Sequence, residues 1–237
     1  MTINLIIMGV QGSGKGTQAA SLREAYGLIH VSTGDLFRAL KTREDEFAKK
    51  IQVIMAAGNL VSDQDTNEVL KQHLDKTPHP GGIIFDGYPR NVEQSEWLEH
   101  YLAQHNEKLT AVLLMELDLY TAFKRTFGRV STQDEKVSYN IYSNTGEIDY
   151  QFTKHEDNAF PPRLEATLKV TGEKLKRRPD DANAAAILKR MDDFVNTTTL
   201  LIPYYESKGL LVRIDASQSV ETVSAKIKNA IESKRSK

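Results

Sequence analysis

Gly9-Val10-Gln11-Gly12-Ser13-Gly14-Lys15-Gly16-Thr17 is the stretch whose reading decides the fold. It comes directly after an apolar run at residues 3–8 and opens a segment of helical periodicity at residues 17–26. Between a buried strand and a helix, such glycines let backbone N–H groups turn inward around anionic oxygens. The helix N-terminus adds its partial positive charge, and Lys15 reaches the β and γ phosphates of a nucleotide. Gly12, Ser13, Gly14, Lys15, Gly16 and Thr17 are therefore candidate phosphate ligands. Gly16 stands where many phosphate loops carry the Ser or Thr that holds Mg²⁺, and the hydroxyl comes one residue later at Thr17, which argues against direct metal ligation by the loop.

Outward from the loop, further short apolar runs at residues 28–31, 82–85, 111–117 and 210–214 read as buried strands, with helical patterns at 34–40, 63–74 and 92–104 between them. Strands alternating with helices predict an α/β protein with a parallel sheet covered on both faces. Residues 128–181 break the pattern: they are rich in Ser, Thr, Asn, Asp and Tyr, carry Pro161-Pro162, and read as an inserted irregular or β-rich module. A long helical pattern resumes over 181–207, the strand at 210–214 and an amphipathic helix at 219–233 close the chain, and 233–237 is expected to fray.

With 237 residues, 40% of them hydrophobic, the chain can bury one full core and a smaller inserted domain. Lys and Arg number 31 against 32 Asp and Glu, so no global field draws it to nucleic acid or membrane. Having no cysteine excludes disulfides, thiolate zinc sites and cysteine nucleophiles. The first apolar run has no basic region before it and reads as a strand, not a signal peptide, and no run approaches the ~20 apolar residues of a membrane span. A cytoplasmic protein is expected, and a monomer, since no apolar stretch is left unassigned.

A phosphate loop alone suits GTPases, ATPases, helicases and small-molecule kinases equally. The motifs downstream of it are more specific. GVQGSGKGTQ, VSTGDLFR at 31–38, GNLVSD at 58–63, FDGYPR at 85–90 with Gln94, and KRRPDD at 176–181 together resemble the adenylate kinase family, in order and over nearly the whole chain. The resemblance implies a P-loop kinase fold: a five-stranded parallel sheet flanked by helices, with a core at 1–31, 64–127 and 182–237, a small helical monophosphate-binding region at 32–63, and a lid at 128–181. It implies reversible transfer of the terminal phosphoryl group of Mg-ATP to AMP, giving two ADP.

The family's site residues carry over by motif. Arg38 and Arg90 resemble the acceptor-phosphate arginines, whose planar forks match phosphate oxygens bidentately. The Thr33 hydroxyl would face the adenine of AMP, Asn59, Leu60 and Val61 would grip that base, Gln94 would pair with its edge, and Gly87, Tyr88 and Pro89 complete the acceptor motif. Asp86 resembles the carboxylate that orients water around Mg²⁺. Arg125, Arg129, Arg178 and Arg190 correspond to the arginines that converge on both nucleotides, with Arg190 favoured over Lys189 because RMDDF resembles the expected continuation. Outside its motif, each of these would be an ordinary solvated arginine. Ser138, Tyr139 and Gln218 align with residues bordering the donor nucleotide. Because the arginines flank the insert, its closure would expel water from the site, with Asp180-Asp181 anchoring the hinge.

The lid departs from the family. Thr132 and Glu135 fall where some relatives carry His and Ser, the zinc cysteines of others are missing, His155 has no second ligand at a recognisable spacing, and residues 145–160 look like an insertion. No structural zinc is expected there. Competing readings are a kinase for UMP, CMP or GMP, a catalytically silent nucleotide-binding switch, and a nucleotide hydrolase.

Overall fold

The computed structural model describes residues 2–56, 61–134, 137–154, 162–178 and 181–235. They form two compact units: Met1–Gly9, Gly14–Glu116 and Asn196–Lys237 make the first, Val10–Ser13 and Leu117–Val195 the second.

The first unit is built on a five-stranded parallel sheet of β1 (Ile3–Met8), β2 (Ile29–Ser32), β3 (Gly82–Asp86), β4 (Leu109–Glu116) and β10 (Leu211–Asp215). Their order across the sheet is β10-β4-β1-β3-β2. Every residue of β1 is buried, as a central strand covered on both faces requires. Helices α1 (Lys15–Tyr26), α2 (Thr33–Leu40), α3 (Glu46–Ala56), α4 (Asp63–Leu74), α5 (Val92–Gln104), α8 (Leu201–Ser207) and α9 (Val220–Arg235) accompany it. From β1 the chain goes to β2 and β3 on one side and to β4 and β10 on the other. β1 is thus the switch point of the sheet, and its carboxyl end is where open α/β sheets bind ligands.

The second unit holds α6 (Leu119–Phe127) and α7 (Ala184–Asn196), which share a small core of Val10, Ala122, Ile187 and Met191. Between these helices lie β5 (Arg129–Ser131) paired with β6 (Ser138–Asn140), and a three-stranded antiparallel sheet of β7 (Ile148–Thr153), β8 (Arg163–Leu168) and β9 (Lys174–Leu175). Both sheets feed one cluster, Val130, Ile141, Ile148, Leu164, Ala166 and Leu175. The stretch that looked like an insertion contains β7, which pairs with β8 from Ile148↔Leu168 to Thr153↔Arg163. β8 alternates buried Leu164 and Ala166 with exposed Arg163 and Glu165, the period of a strand with one dry face.

Three local expectations shift. The pattern at 181–207 is not one helix: Thr197, Thr198 and Thr199, with Pro203 beyond them, separate α7 from α8 with a 3₁₀ turn at Thr198–Leu200. β-Branched residues disfavour the helix, and a proline clashes with the carbonyl four residues before it. At the C-terminus α9 runs on to Arg235, because Ile227 and Ile231 bury its inner face and Lys234 donates to the Gly209 carbonyl at 2.5 Å. α3 was expected only as part of the small helical region at 32–63, without bounds of its own, and is held by Ala48 and Ile51 against Leu40 and Val69. Among the described residues no helix is long and apolar enough to cross a membrane.

Candidate active site

The phosphate loop leaves the carboxyl end of β1. Gly14, at φ 92°, is the N-cap of α1 and supplies no side-chain cap, so the first-turn N–H groups of this helix receive no protein side chain at that position. Lys15 folds back and donates to the Gly9 carbonyl at 2.7 Å. Gly12 adopts φ 86°, and a Cβ there would sit 2.4 Å from the Ala122 carbonyl oxygen, which no side chain could accommodate. Gln11 Nε2 donates to the Ile187 carbonyl at 2.8 Å, and the buried Ser13 hydroxyl has no hydrogen-bond partner among the described residues. Thr17 is exposed on α1.

At the end of β3 a second group of predicted residues is joined by hydrogen bonds within the first unit. Buried Thr33 donates its hydroxyl proton to the Gly87 carbonyl at 3.0 Å, and Arg90 Nε donates to the same oxygen at 3.0 Å. Gly87 has φ 74°, and a Cβ would lie 2.9 Å from Thr33 Oγ1. The Arg90 N–H donates to Gln94 Oε1 at 2.8 Å, while Gln94 Nε2 donates to Asp63 Oδ1 at 2.5 Å. Tyr88, joined to Pro89 by a cis peptide bond, is buried and donates to Asn67 Oδ1 at 2.5 Å. Burial, with the Asp63 charge adding, pushes its phenol up and keeps it a donor. Arg38 is half exposed on α2 and donates to Asp35 one turn earlier. Val61 packs on the Leu40 and Ile51 cluster; Asn59 and Leu60 lie outside the described residues.

Asp86 ends β3 with Oδ2 3.2 Å from His30 Nε2. One carboxylate in this position fits a Mg²⁺ that arrives on nucleotide phosphates and keeps much of its water, the usual state of this ion. Among the described residues no group of three or more His, Cys, Asp or Glu could hold a metal by itself.

In the second unit two arginines share one carboxylate. Arg129 donates through Nε and Nη2 to Asp181 Oδ2 at 2.8 and 2.6 Å, and Arg190 Nη2 donates to Oδ1 at 2.8 Å. Asp181 is fully buried, and its single carboxylate accepts from both guanidinium groups. Arg190, and not the exposed Lys189, is the residue that reaches it. Arg178 is exposed beside it, Arg125 is half-buried on α6, and Asp180 is outside the described residues. Ser138 and Tyr139 lie on β6, opposite Ser131 and Val130. Gln218, in the first unit, donates to Asp215 Oδ2 at 2.8 Å in the turn after β10. In the lid Thr132 donates to Asp134 at 2.7 Å, while Glu135 and His155 lie outside the described residues.

A model of the adenylate kinase family matches residues 7–210, most of the chain and all of the arginine-bearing motifs. The chain belongs to the adenylate kinase family. It is 34% identical over 233 residues to an adenylate kinase of Shouchella clausii, covering 98% of this chain and 100% of that protein. It is likewise 34% identical over 229 residues to an adenylate kinase of Thermotoga petrophila (96% of each chain), and 32% identical over 232 residues to adenylate kinase 2 of Schistosoma mansoni (98% of this chain, 90% of that one).

Three residues of this adenylate kinase family member gain importance that their motifs did not announce. Arg177 donates through Nη2 to the Phe127 carbonyl at 2.6 Å and the Asp181 carbonyl at 2.5 Å, with its guanidinium 4.8 Å from the Phe127 ring. It ties the two ends of the insert together, and burial lowers its pKa. In KRRPDD it is one basic residue among three, and nothing in the spacing separates it from its neighbours. His30 beside Asp86 and Asp63 beside Gln94 were hidden for a different reason, being distant in sequence from the groups they touch. The signals for Asp63 were its place at the end of the GNLVSD motif and after Ser62, the N-cap of α4, and neither pointed to Gln94.

Proposed function

We propose that the chain catalyses reversible transfer of the terminal phosphoryl group of Mg-ATP to AMP, giving two ADP. The observation that carries this reading is the group at the end of β3, where Thr33, Gly87, Arg90 and Gln94 are bonded to one another next to the strand that launches the phosphate loop. A hydrolase has no use for such an acceptor group.

Phosphoryl transfer asks the protein for alignment and for neutralisation of charge on the moving oxygens more than for covalent chemistry. In this reading the loop from Gly12 to Thr17 binds the donor phosphates and Lys15 exchanges the Gly9 carbonyl for a phosphate oxygen. Arg38 and Arg90 hold the AMP phosphate, while Thr33, Val61 and Gln94, with Asn59 and Leu60, hold its base. Arg125, Arg129, Arg178 and Arg190 serve the transferring group, the Asp181 carboxylate having drawn two of them into place. Ser138, Tyr139 and Gln218 border the donor nucleoside. Mg²⁺, oriented through Asp86, supplies charge neutralisation at the donor phosphates when bound. No structural zinc enters the reading, and the enzyme is taken as a cytoplasmic monomer, which sedimentation and fractionation would check.

The deciding assay offers purified protein Mg-ATP with AMP, UMP, CMP and GMP in turn and monitors ADP release. Turnover selective for AMP is expected. Preference for another acceptor would retain the transfer and discard the base assignment, and absence of acceptor-dependent turnover would discard the reading.

A further inference from the structure

A glutamine amide can present either sense of hydrogen bonding to a base, depending on which way round it sits. At Gln94 the surroundings decide. The Asp63 carboxylate accepts and the Arg90 backbone N–H donates, and they stand 2.5 and 2.8 Å from Nε2 and Oε1 respectively. Turned round, the amide would set its carbonyl oxygen against a carboxylate oxygen and its NH₂ against an N–H. Gln94 is only 4% exposed, so water could not relieve either contact. An amide offers two N–H bonds and two lone pairs, and Asp63 and Arg90 use one of each. The remaining pair has a defined sense, in which the oxygen can accept and the nitrogen can donate.

That sense is complementary to a 6-aminopurine, which presents an amino donor beside a ring-nitrogen acceptor, and opposed to a 6-oxopurine, which presents an oxygen acceptor beside a ring N–H. Thr33 has the same bias, because its proton is committed to the Gly87 carbonyl and its oxygen is left to accept. Asp63 is in turn held in place: its Oδ2 accepts from Asn91 Nδ2 at 2.8 Å, and it lies in the first turn of α4, where the helix dipole favours an anion. We propose that Asp63 is a specificity-determining positioning residue, which locks the Gln94 amide in the orientation that accepts AMP and rejects 6-oxopurine monophosphates. This rests on the proposed role of Gln94 as a base-binding residue.

The test measures kcat and KM of the full chain for AMP and for inosine monophosphate, which differs from AMP at position 6, with Mg-ATP saturating, in the wild type, Asp63→Asn, Gln94→Ala and Asn91→Ala. Asp63→Asn is expected to narrow the AMP to inosine monophosphate ratio of kcat/KM by about tenfold, the factor that one reoriented hydrogen bond supplies. The change should fall on the acceptor KM and leave the KM for ATP in place. Asn91→Ala removes both the bond that holds Asp63 and the cap on the Gln94 N–H, and should narrow the ratio in the same direction by a smaller factor; a wider ratio would count against the proposal. If Asp63→Asn slows both acceptors equally, Asp63 only links two helices and the proposal falls. An unmoved ratio in Gln94→Ala removes the base reading itself, and the proposal with it. The wild-type protein gives an independent check should Asp63→Asn not fold: the Gln94 side-chain amide protons should exchange far more slowly than those of an exposed glutamine, and free exchange would overturn the proposal.

Discussion

In the first unit, the Arg90 guanidinium donates to main chain, the Gly87 carbonyl, at the end of a strand buried on both faces. In the second unit, Arg129 and Arg190 both donate to one buried carboxylate, Asp181, and the strand β8 of the insert has only one dry face. A parallel sheet is rigid enough that its strand ends can aim side chains directly. A small antiparallel insert, with six buried residues in its cluster among the described residues, needs explicit charge pairing to do so. The cost of losing one anchor should therefore differ between the two regions in kind as well as in size.

The largest expected effect is on Asp181. Replacing it with alanine leaves Arg129 and Arg190 without their shared acceptor, and breaking a buried pair from one side costs about 3–5 kcal/mol. Urea denaturation should read that loss; a change below about 1 kcal/mol would mean the two arginines hold their places without it. Arg90→Ala is expected to act on chemistry instead, lowering turnover by on the order of 3 kcal/mol of transition-state stabilisation while the unfolding midpoint stays nearly constant. Equal turnover in this variant would remove Arg90 from the acceptor site and with it the contrast between main-chain and carboxylate anchoring.

Next in size is Ile148→Ala in the insert cluster, expected to cost about 2 kcal/mol, the low end for a buried aliphatic side chain because a small cluster can collapse around the gap. Hydrogen exchange should quicken in β7, β8 and β9 and remain unchanged in β1 and β3; loss of protection across both sheets would show the two regions to be one cooperative body.

The smallest effect belongs to Asp65, whose carboxyl is held below its ordinary range by the Lys50 hydrogen bond at 2.5 Å and then by Ser62. A depressed carboxyl stabilises the fold fully above its unfolded value, about 3.9, and the contribution is lost as pH falls through the folded value. Asp65→Asn should accordingly lower stability by a constant small amount above about pH 4 and reduce the drop below it, the two proteins converging in acid, as thermal melts at a series of pH values would record.

Much of the architecture was legible because its signals are local. Apolar runs at 3–8 and 82–85, helical periodicity between them, and glycines at 9, 12, 14 and 16 require no partner elsewhere in the chain to be read, and the observed strands depart from those runs by a few residues at most. The family motifs were legible for the same reason. The insert was only partly so: its composition marked it as irregular or β-rich, and although residues 148–153 and 163–168 each alternate apolar with polar side chains, nothing in either run marks the other as its partner.

What only the tertiary structure decided is which groups meet. Asp63 and Gln94, Arg129 and Asp181, and Arg177 and Phe127 are 31, 52 and 50 residues apart, and no pattern within either partner's own segment marks the match. The sequence by itself determined the elements and the chemistry available at their ends, because periodicity and turn composition are properties of short segments. The sense of the Gln94 amide and the anchoring of two arginines on one carboxylate come from desolvation, which acts on a polar group only once folding has enclosed it and demands a partner in whatever direction the enclosure leaves.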